Sequence, residues 1–383
     1  MAQDLLTKTK ILIITNHSYM LYQFRKELIQ ALMKEHEVVL SMPFVGHEED
    51  FKAMGIKCID TPIDRRGMNP KTDLKLLHTY KRLMKEELPD LVITYSIKPN
   101  IYAGLVCRSM GIPYCANVQG LGTAFQSKKI AMFVTMLYKM ALKKARTVFF
   151  ENDTNAQEFI NRNILKRDHI TVLHGAGINL DKFNYVPYPS NDTFHFLYLG
   201  RIMKEKGIDE LFSSIRRLKE DNESFILDLV GFFEDEYKDQ VEELEKLGIV
   251  KFHGFQSDPR PFYSSSDAIV LPSYHEGMSN VLLEGASTGR PLITSYIPGC
   301  QEAVDDKVTG YLTEVKNSDD LYEKMKDMLH LTSSQREEMG KQGRRNNRCI
   351  KALIRGKMNG TKKLLDVTYM VINCRTILKC SYT

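Results

Sequence analysis

The feature that most constrains the fold is a repeated alternation of short apolar runs with amphipathic helical stretches. In the first half of the chain the strand-like runs cover 10–15, 38–43, 90–96, 112–118 and 147–152. Helical patterns such as those at 20–35 and 73–87 lie between them. Strands that alternate with helices in this way predict a parallel sheet covered by helices on both faces.

The same alternation starts again after a break. Residues 184–191 (NYVPYPSN) carry two prolines, a composition typical of a linker. New strand-like runs then follow at 194–200, 225–231, 250–254, 268–273 and 291–295. The pattern predicts an α/β protein of two Rossmann-like, doubly wound domains that face each other across a cleft. We place the domains at 1–186 and 190–340, and assign 341–383 to an atypical basic tail.

Size and composition agree with two soluble domains. The chain has 383 residues, of which 43% are hydrophobic and 26% charged. The longest apolar stretch, 130–142, contains Lys139 and is shorter than the roughly 18 residues of a membrane span. No secretory leader is recognisable at 1–10, so we expect a cytoplasmic protein. The 7 cysteines form no CxxC or Cys/His metal pattern, which favours a reduced compartment and no metal site.

The positive net charge resides in the tail. Residues 341–383 hold 11 Lys or Arg and one acid, so the remainder holds 53 − 11 = 42 basic and 48 − 1 = 47 acidic residues, a net charge of −5. A nucleic-acid partner would depend on the tail alone, where aromatic residues are sparse, and we expect none.

The most informative segment is 273–294 (SYHEGMSNVLLEGASTGRPLIT). After a strand, Ser279 or Asn280 is suited to cap a helix that Gly289 would end. The amino-terminal end of such a helix presents backbone N–H groups and partial positive charge, and therefore predicts a diphosphate site.

Two acids flank this anion site. Glu276 precedes the helix and Glu284 lies on its second turn. Carboxylates beside an anion site would repel the anion, so they need another ligand. Each could accept hydrogen bonds from a sugar diol, and a nucleotide sugar has two diols joined by a diphosphate. The alternative is that Glu276 and Glu284 are ordinary solvated acids with no binding role. The second motif, described next, disfavours this alternative.

The second motif is 198–207 (YLGRIMKEKG). Arg201 and Lys206 follow the end of a strand, and Gly207 opens a helix. Two cations at this place would neutralise the charge that develops on a departing nucleoside diphosphate. Two glycine pairs, at 120–122 and 175–177, lack the third glycine and the position of a dinucleotide fingerprint, so a nicotinamide dehydrogenase is a poor interpretation.

Together, G-R-x4-K-G at 200–207 and E-G-x6-E at 276–284 resemble the large family of retaining, nucleotide-sugar-dependent glycosyltransferases with the GT-B fold (group 1). The segments Leu229–Gly231, Phe252–Phe255 and 310–312 (GYL) also stand where that family has them, so that the resemblance covers about 8–340. In the first half, 65–70, 95–104 and 117–125 resemble the subgroup that extends lipid-linked or capsular oligosaccharides with N-acetylhexosamines.

The resemblance implies roles for residues of the second half. Arg201 and Lys206 would hold the donor diphosphate, Glu276 would contact the transferred sugar, Glu284 would bind ribose, and Gly254 would meet the base through its backbone. The other residues implied on the donor side are Gly200, Gly277, Met278, Ser279 and Asn280.

In the first half, the residues implied on the acceptor side are His17, Lys98, Asn100, Gln119, Gly120 and Gly122. Relatives often have a histidine where this chain reads Asn117-Val-Gln119, so no catalytic base is assigned. His17 is a weak substitute for it, and is more readily explained as an ordinary loop residue. The family uses no metal or cofactor, the UDP-sugar being a co-substrate.

We therefore expect transfer of a hexose or N-acetylhexosamine from a UDP-sugar to a saccharide acceptor, carried on a polyprenyl diphosphate, with retained anomeric configuration, in surface polysaccharide synthesis. A sugar-nucleotide epimerase of the same fold and an inactive nucleotide-sugar-binding subunit are the alternatives.

The basic and apolar stretch 128–146 predicts a buried helix with charged ends. The alternative is that this stretch contacts the cytoplasmic face of a membrane. The tail is either a frameshifted end or a second membrane contact.

Overall fold

A computed structural model describes residues 8–64, 69–121, 125, 128–173, 175 and 177–346. The chain divides into two compact units between residues 176 and 177. This division precedes the proline-containing segment 184–191 that marked the predicted linker, because Ile178, Leu180 and Phe183 pack in the core of the second unit. Residues 65–68, Gly122 and 347–383 lie outside the described part of the chain.

The first unit contains a parallel sheet. Its strands are Lys10–Ile14 (β1), Glu37–Met42 (β2), Lys57–Asp60 (β3), Leu91–Tyr95 (β4), Tyr114–Val118 (β5), Thr147–Phe150 (β6) and Ile170–Val172 (β7). They pair in the order β3-β2-β1-β4-β5-β6-β7. Strands β1, β4 and β5 are covered on both faces, which explains why they read as nearly continuous apolar runs.

Helices connect these strands. They are Ser18–Met33 (α1), Glu48–Ala53 (α2), Pro70–Glu87 (α3), Gly104–Met110 (α4), Lys128–Leu142 (α5) and Asp153–Asn161 (α6), with a π-helical turn at Pro99–Ala103. Local sequence signals set the bounds of α3: the Asn69 side chain accepts a hydrogen bond from the amide of Lys71, and Pro70 occupies the first helical position.

The second unit has the same design. Its strands are Phe194–Leu199 (β8), Phe225–Val230 (β9), Val250–Gly254 (β10), Ala268–Leu271 (β11), Leu292–Ser295 (β12) and Gly310–Thr313 (β13), paired in parallel in the order β10-β9-β8-β11-β12-β13. Its helices are Ile208–Glu220 (α7), Lys238–Lys246 (α8), Arg260–Ser265 (α9), Asn280–Thr288 (α10), Ser318–His330 (α11) and Ser333–Asn346 (α12). Two doubly wound α/β units are therefore present, as predicted.

Helix α12 continues past residue 341, where the sequence analysis placed the start of the tail. It continues through 341–346, and Gly340 lies so close to α10 that an added Cβ would be 2.1 Å from the carbonyl oxygen of Gly289. The guanidinium of Arg344 donates to the carbonyl of Ser287. Residues 341–346 thus belong to the second unit. Among the described residues, no helix is long and apolar enough to cross a bilayer.

The strand order places a topological switch point in each sheet. In the second unit the chain leaves β8 toward β9 on one side, and later returns to form β11 on the other side. In the first unit the corresponding place lies between β1 and β4. Ligands of doubly wound sheets bind at the carboxyl ends of the strands beside such points.

Gly207, between β8 and α7, provides a test of the packing at the second switch point. Its φ is +73°, and an added Cβ would lie 2.0 Å from the carbonyl oxygen of Pro272. Gly207→Ala should therefore lower the free energy of unfolding by more than about 2 kcal/mol, measured by denaturant unfolding. Gly248→Ala is the matched control, because Gly248 has φ +72° with no atom within 4 Å of the added Cβ. Equal losses in the two variants would show that the approach to Pro272 contributes nothing.

Candidate functional site

The two sequence motifs of the second unit meet at its switch point. The loop 200–207 follows β8 and the loop 272–279 follows β11, and β8 and β11 are paired neighbours. Because both strands are parallel, the loops leave the sheet at the same edge. Backbone contacts join the two loops: the amide of Tyr274 donates to the carbonyl of Glu205 at 2.9 Å. The geometry thus brings together the residues that the sequence placed on the donor side.

The closest polar contact in this region is between Lys206 and Glu276. The Lys206 ammonium donates to Oε1 of Glu276 at 2.5 Å, and Ser273 Oγ donates to the same oxygen at 2.9 Å. The two charged side chains are only 17% and 14% exposed. Oε2 of Glu276 has no hydrogen-bond partner among the described residues. The sequence predicted both residues but not this ion pair between them.

Arg201 is paired with a residue that the sequence analysis missed. Its guanidinium donates to Oε2 of Glu234 at 2.8 Å, and Glu234 lies in the loop after β9. The close approach of Gly231 to Gly200, where an added Cβ would lie 1.8 Å from the Gly200 oxygen, holds this loop against the one after β8. The segment Leu229–Gly231 was recognised as a motif, but nothing in it indicated an acid that pairs with Arg201.

Helix α10 begins as predicted. Ser279 is the capping residue, its Oγ accepts from the amide of Leu282 at 3.4 Å, and Asn280 is the first helical residue. The helix ends at Gly289, which has φ +84°. One detail differs from the expected anion site: the amide of Ser279 already donates to the carbonyl of Gly299 at 2.9 Å, and so is used within the protein.

Two further donor-side residues lie in the same loop. Met278 is buried. An added Cβ on Gly299 would lie 2.5 Å from the carbonyl oxygen of Gly277, so the chain after β12 packs directly on this loop. The path of the backbone at 276–279 is therefore fixed from both sides, by Gly299 and by the neighbouring loop after β8.

Glu284 lies on α10 and faces Tyr263, whose hydroxyl donates to Oε2 of Glu284 at 2.9 Å. Burial raises the pKa of Glu284 to about 7, and the hydrogen bond from Tyr263 opposes this shift. The carboxyl group is therefore both protonated and ionised in comparable amounts near neutral pH.

Gly254 ends β10 at the same edge of the sheet, with φ +65°, and its carbonyl accepts from the amide of Gly231. Beside it stand two aromatic rings to which the sequence analysis gave no role, although Phe255 ends the segment Phe252–Phe255. Phe232 and Phe255 are 48% and 51% exposed, and their ring centroids are 6.4 Å apart. Their positions directly after two strand ends were the available signal.

The predicted residues of the first unit also gather at one edge. His17 directly precedes α1 after β1, Lys98 follows β4, and Gln119 and Gly120 follow β5, and these three strands are adjacent. The Lys98 ammonium pairs with Asp73 at 2.8 Å.

Direct contacts link this edge. The Gln119 amide donates to Sδ of Met20 at 3.4 Å. Ser96 Oγ donates to Oδ1 of Asn16 at 2.7 Å, and Ser96 has φ +74°. The sequence analysis missed Asn16 and Ser96. A positive φ in a residue other than glycine stores strain, and such strain concentrates at functional sites.

Asn100 is placed differently from its neighbours. It is 1% exposed, accepts from Thr94 Oγ1 at 2.6 Å, and donates to the carbonyl of Asn117 at 2.8 Å. Its side chain thus bridges β4 and β5 from inside the π-helical turn. Asn100 therefore holds the ends of β4 and β5 together from a buried position. Gly122, the remaining acceptor-side residue, lies outside the described residues.

Side chains that could bind a metal ion are not clustered in the described part of the chain. Residues 8–64, 69–121, 125, 128–173, 175 and 177–346 contain no group of three or more His, Cys, Asp or Glu side chains that could hold a metal ion.

Two family models match the chain. The model described as glycosyl transferases group 1 matches residues 186–346, and the model described as glycosyl transferase 4-like matches residues 10–152. Each match falls largely within one of the two units. The first begins inside the proline-containing segment 184–191 and includes both donor-side loops.

Among curated proteins, the N,N'-diacetylbacillosaminyl-diphospho-undecaprenol alpha-1,3-N-acetylgalactosaminyltransferase of Campylobacter jejuni is 30% identical over 328 residues, 81% of this chain and 86% of that protein. The UDP-Gal:alpha-D-GlcNAc-diphosphoundecaprenol alpha-1,3-galactosyltransferase of Escherichia coli is 25% identical, covering 72% of this chain and 75% of that protein.

Solved structures share the fold. Sucrose-phosphate synthase from Thermosynechococcus elongatus superposes with a TM-score of 0.76 at 19% identity, over 97% of this chain and 100% of that one. The Anabaena protein HepE, in complex with UDP and glucose, gives a TM-score of 0.71 at 16% identity, over 92% of this chain and 100% of that one. The prediction of two Rossmann-like domains is confirmed.

The raised pKa of Glu284 predicts a pH dependence of stability. In the unfolded chain this carboxyl titrates near 4.5 and in the folded protein near 7, so the folded state holds an extra proton between these values. This contribution to stability is complete below about pH 4.5 and is lost as the pH rises through 7. Glu284→Gln removes the titration. Between pH 5 and pH 8 the free energy of unfolding of the variant should therefore rise by about 1–3 kcal/mol relative to that of the wild type, measured by urea unfolding. A difference that does not change with pH would contradict the shift.

Proposed function

Because the chain belongs to the group 1 glycosyltransferases, we propose that it transfers a hexose or N-acetylhexosamine from a UDP-sugar to a saccharide carried on a polyprenyl diphosphate. In the proposed reaction the sugar keeps its anomeric configuration. The reaction takes place on the cytoplasmic side of a membrane and serves surface polysaccharide synthesis. Relatives named for undecaprenyl-diphosphate-linked saccharides support the acceptor class. Relatives named for UDP-Gal or solved with UDP support the donor class.

The observation that carries the proposal is the Lys206–Glu276 pair at the switch point, with Arg201 in the same loop as Lys206. In the proposed reaction Lys206 and Arg201 bind the diphosphate and stabilise the negative charge that develops on UDP as the glycosidic bond breaks. The amino-terminal end of α10 adds partial positive charge at the same place. The backbone of Gly200, Gly277, Met278, Ser279 and Asn280 would border the bound diphosphate.

Glu276 would bind the transferred sugar. Oε1 is occupied by Lys206 and Ser273, which leaves Oε2 to accept hydrogen bonds from sugar hydroxyls. Glu284 would accept from the ribose diol. The base would lie near Gly254, where the exposed rings of Phe232 and Phe255 offer a stacking surface.

The first unit would bind the acceptor. His17, Lys98, Gln119 and Gly120 lie at one sheet edge, and Asn100 holds that edge together from inside. Gly122 completes this proposed set. No metal and no organic cofactor enters the proposed reaction, since Arg201, Lys206 and the end of α10 supply the positive charge that the leaving diphosphate needs.

Donor binding is tested by calorimetry with UDP, using GDP and ADP as controls. We expect selective binding of UDP, weakened at least about 10-fold in Arg201→Ala, because a charge-assisted contact to phosphate contributes well over 1 kcal/mol. If no nucleotide binds, the proposed donor site is refuted. Selective UDP binding without any sugar transfer would instead favour the inactive nucleotide-sugar-binding subunit.

Turnover is tested with substitutions that keep shape, Lys206→Met and Glu276→Gln. Each should lower kcat/KM at least about 100-fold, measured as transfer of labelled sugar from a panel of UDP-sugars to polyprenyl-diphosphate-linked saccharides. Lys204→Met is the matched control, since Lys204 lies in the same loop but is 68% exposed. Near-normal transfer by either site variant would refute these roles. Donor conversion without an acceptor would instead identify an epimerase.

A further inference from the structure

Helix α5 has two apolar faces. One face packs into the core of the first unit through Ala131, Val134, Tyr138 and Ala141, all buried. The interpretation of 128–146 as a core helix is correct for this face alone. A surface helix of a globular protein normally carries polar residues on the side opposite its core stripe.

The outward face of α5 is apolar in the middle. Met132 is 72% exposed, Phe133 49%, Met136 50% and Met140 45%. The spacings from Met132 to Met136 and from Met136 to Met140 are one helical turn, so these side chains form one continuous stripe. The other exposed large apolar residues of the described chain are distributed over several separate elements. Contiguous apolar surface of this kind marks a site of interaction.

Positive charge surrounds this stripe. Lys129 and Lys139 are exposed on the helix, and Lys143, Lys144 and Arg146 are exposed just beyond its end. No Asp or Glu occurs anywhere in 91–150, whereas this segment holds eight Lys or Arg. The π-helical turn and α4, which pack on α5, contribute only the further cation Arg108. Helix α6 also contacts α5, through Phe159 and Tyr138, and its acids Asp153 and Glu158 are paired with Arg167 and Arg162.

Charge complementarity selects the occupant of this surface. A second copy would bring the same cations against each other, and the basic segment 347–383 would do likewise. An anionic surface that accepts apolar side chains matches both features of the helix. Methionine and phenylalanine flanked by lysines are typical of helices that lie in the interface of an anionic bilayer.

We propose that the outward face of α5 docks the protein on an anionic lipid bilayer, with Met132, Phe133, Met136 and Met140 in the acyl boundary and the surrounding lysines on the headgroups. The proposal rests on the proposed function in one respect, since a polyprenyl-linked acceptor lies in the same bilayer. The docking surface belongs wholly to the first unit and uses no residue assigned to donor or acceptor.

The test is vesicle co-sedimentation of the full chain. Vesicles of phosphatidylcholine with about 30% phosphatidylglycerol should bind the wild type, and pure phosphatidylcholine or 0.5 M NaCl should weaken binding about 10-fold or more. Phe133→Ser/Met136→Ser and Lys129→Glu/Lys143→Glu/Lys144→Glu should each lower partitioning at least about 10-fold. Leu74→Ser/Leu247→Ser is the matched control, since these leucines are 58% and 46% exposed elsewhere and should leave binding unchanged.

Calorimetry with UDP and transfer to a saccharide on a short, water-soluble polyprenyl diphosphate separate this proposal from the proposed function. Variants that lose vesicle binding but keep both activities support the docking surface. Vesicle binding that survives in the α5 variants overturns it, even if transfer proceeds. A wild type that dimerises through α5, seen by light scattering, and ignores vesicles also overturns it. If vesicle binding depends on α5 but no sugar is transferred, the proposed glycosyltransferase function is refuted and the docking surface is not.

Discussion

The arrangement of the two site loops in the second unit depends on the contact between Gly207 and the carbonyl of Pro272. At φ +73°, with only 2.0 Å between an added Cβ and that oxygen, no residue but glycine fits without displacing the backbone. The contact holds the loop after β8 against the loop after β11. Lys206 directly precedes this contact and Glu276 follows it by a few residues, so the distance between their side chains is set by backbone packing.

Parallel pairing explains why so much of the fold could be predicted from the sequence. Strands such as β4 and β11 are buried on both faces and therefore read as unbroken apolar runs, while Gly289 and Asn69 mark helix ends by local chemistry. Short edge strands were missed. Lys57–Asp60 and Ile170–Val172 carry no apolar run, since they are only partly buried, and pairing with β2 and β6 alone defines them.

The sequence predicted which residues belong to the candidate site, but it did not predict which side chains they contact. Arg201 and Glu284 were assigned from motif spacing. Their partners have no local signal, since Glu234 comes from the loop after β9 and Tyr263 from helix α9. Asn100 was likewise assigned from its resemblance to family motifs, which carry no signal for its contacts. Its amide bridges two strands, accepting from Thr94 and donating to the carbonyl of Asn117. Tertiary contacts decide these cases, and one-dimensional spacing does not encode them.

The Lys206–Glu276 pair explains why a carboxylate lies inside the predicted anion site. A cation that is 17% exposed loses much of its hydration, and Glu276 offsets that loss before any ligand arrives. Ser273 holds the carboxylate on the same oxygen, so Oε2 keeps a fixed direction. In the proposed reaction, a diphosphate that approaches Lys206 would add a second anion to a cation already oriented, and the lysine would need no reorganisation at the moment of bond cleavage. The carboxylate that keeps Lys206 in place would then also hold a sugar hydroxyl beside the breaking bond.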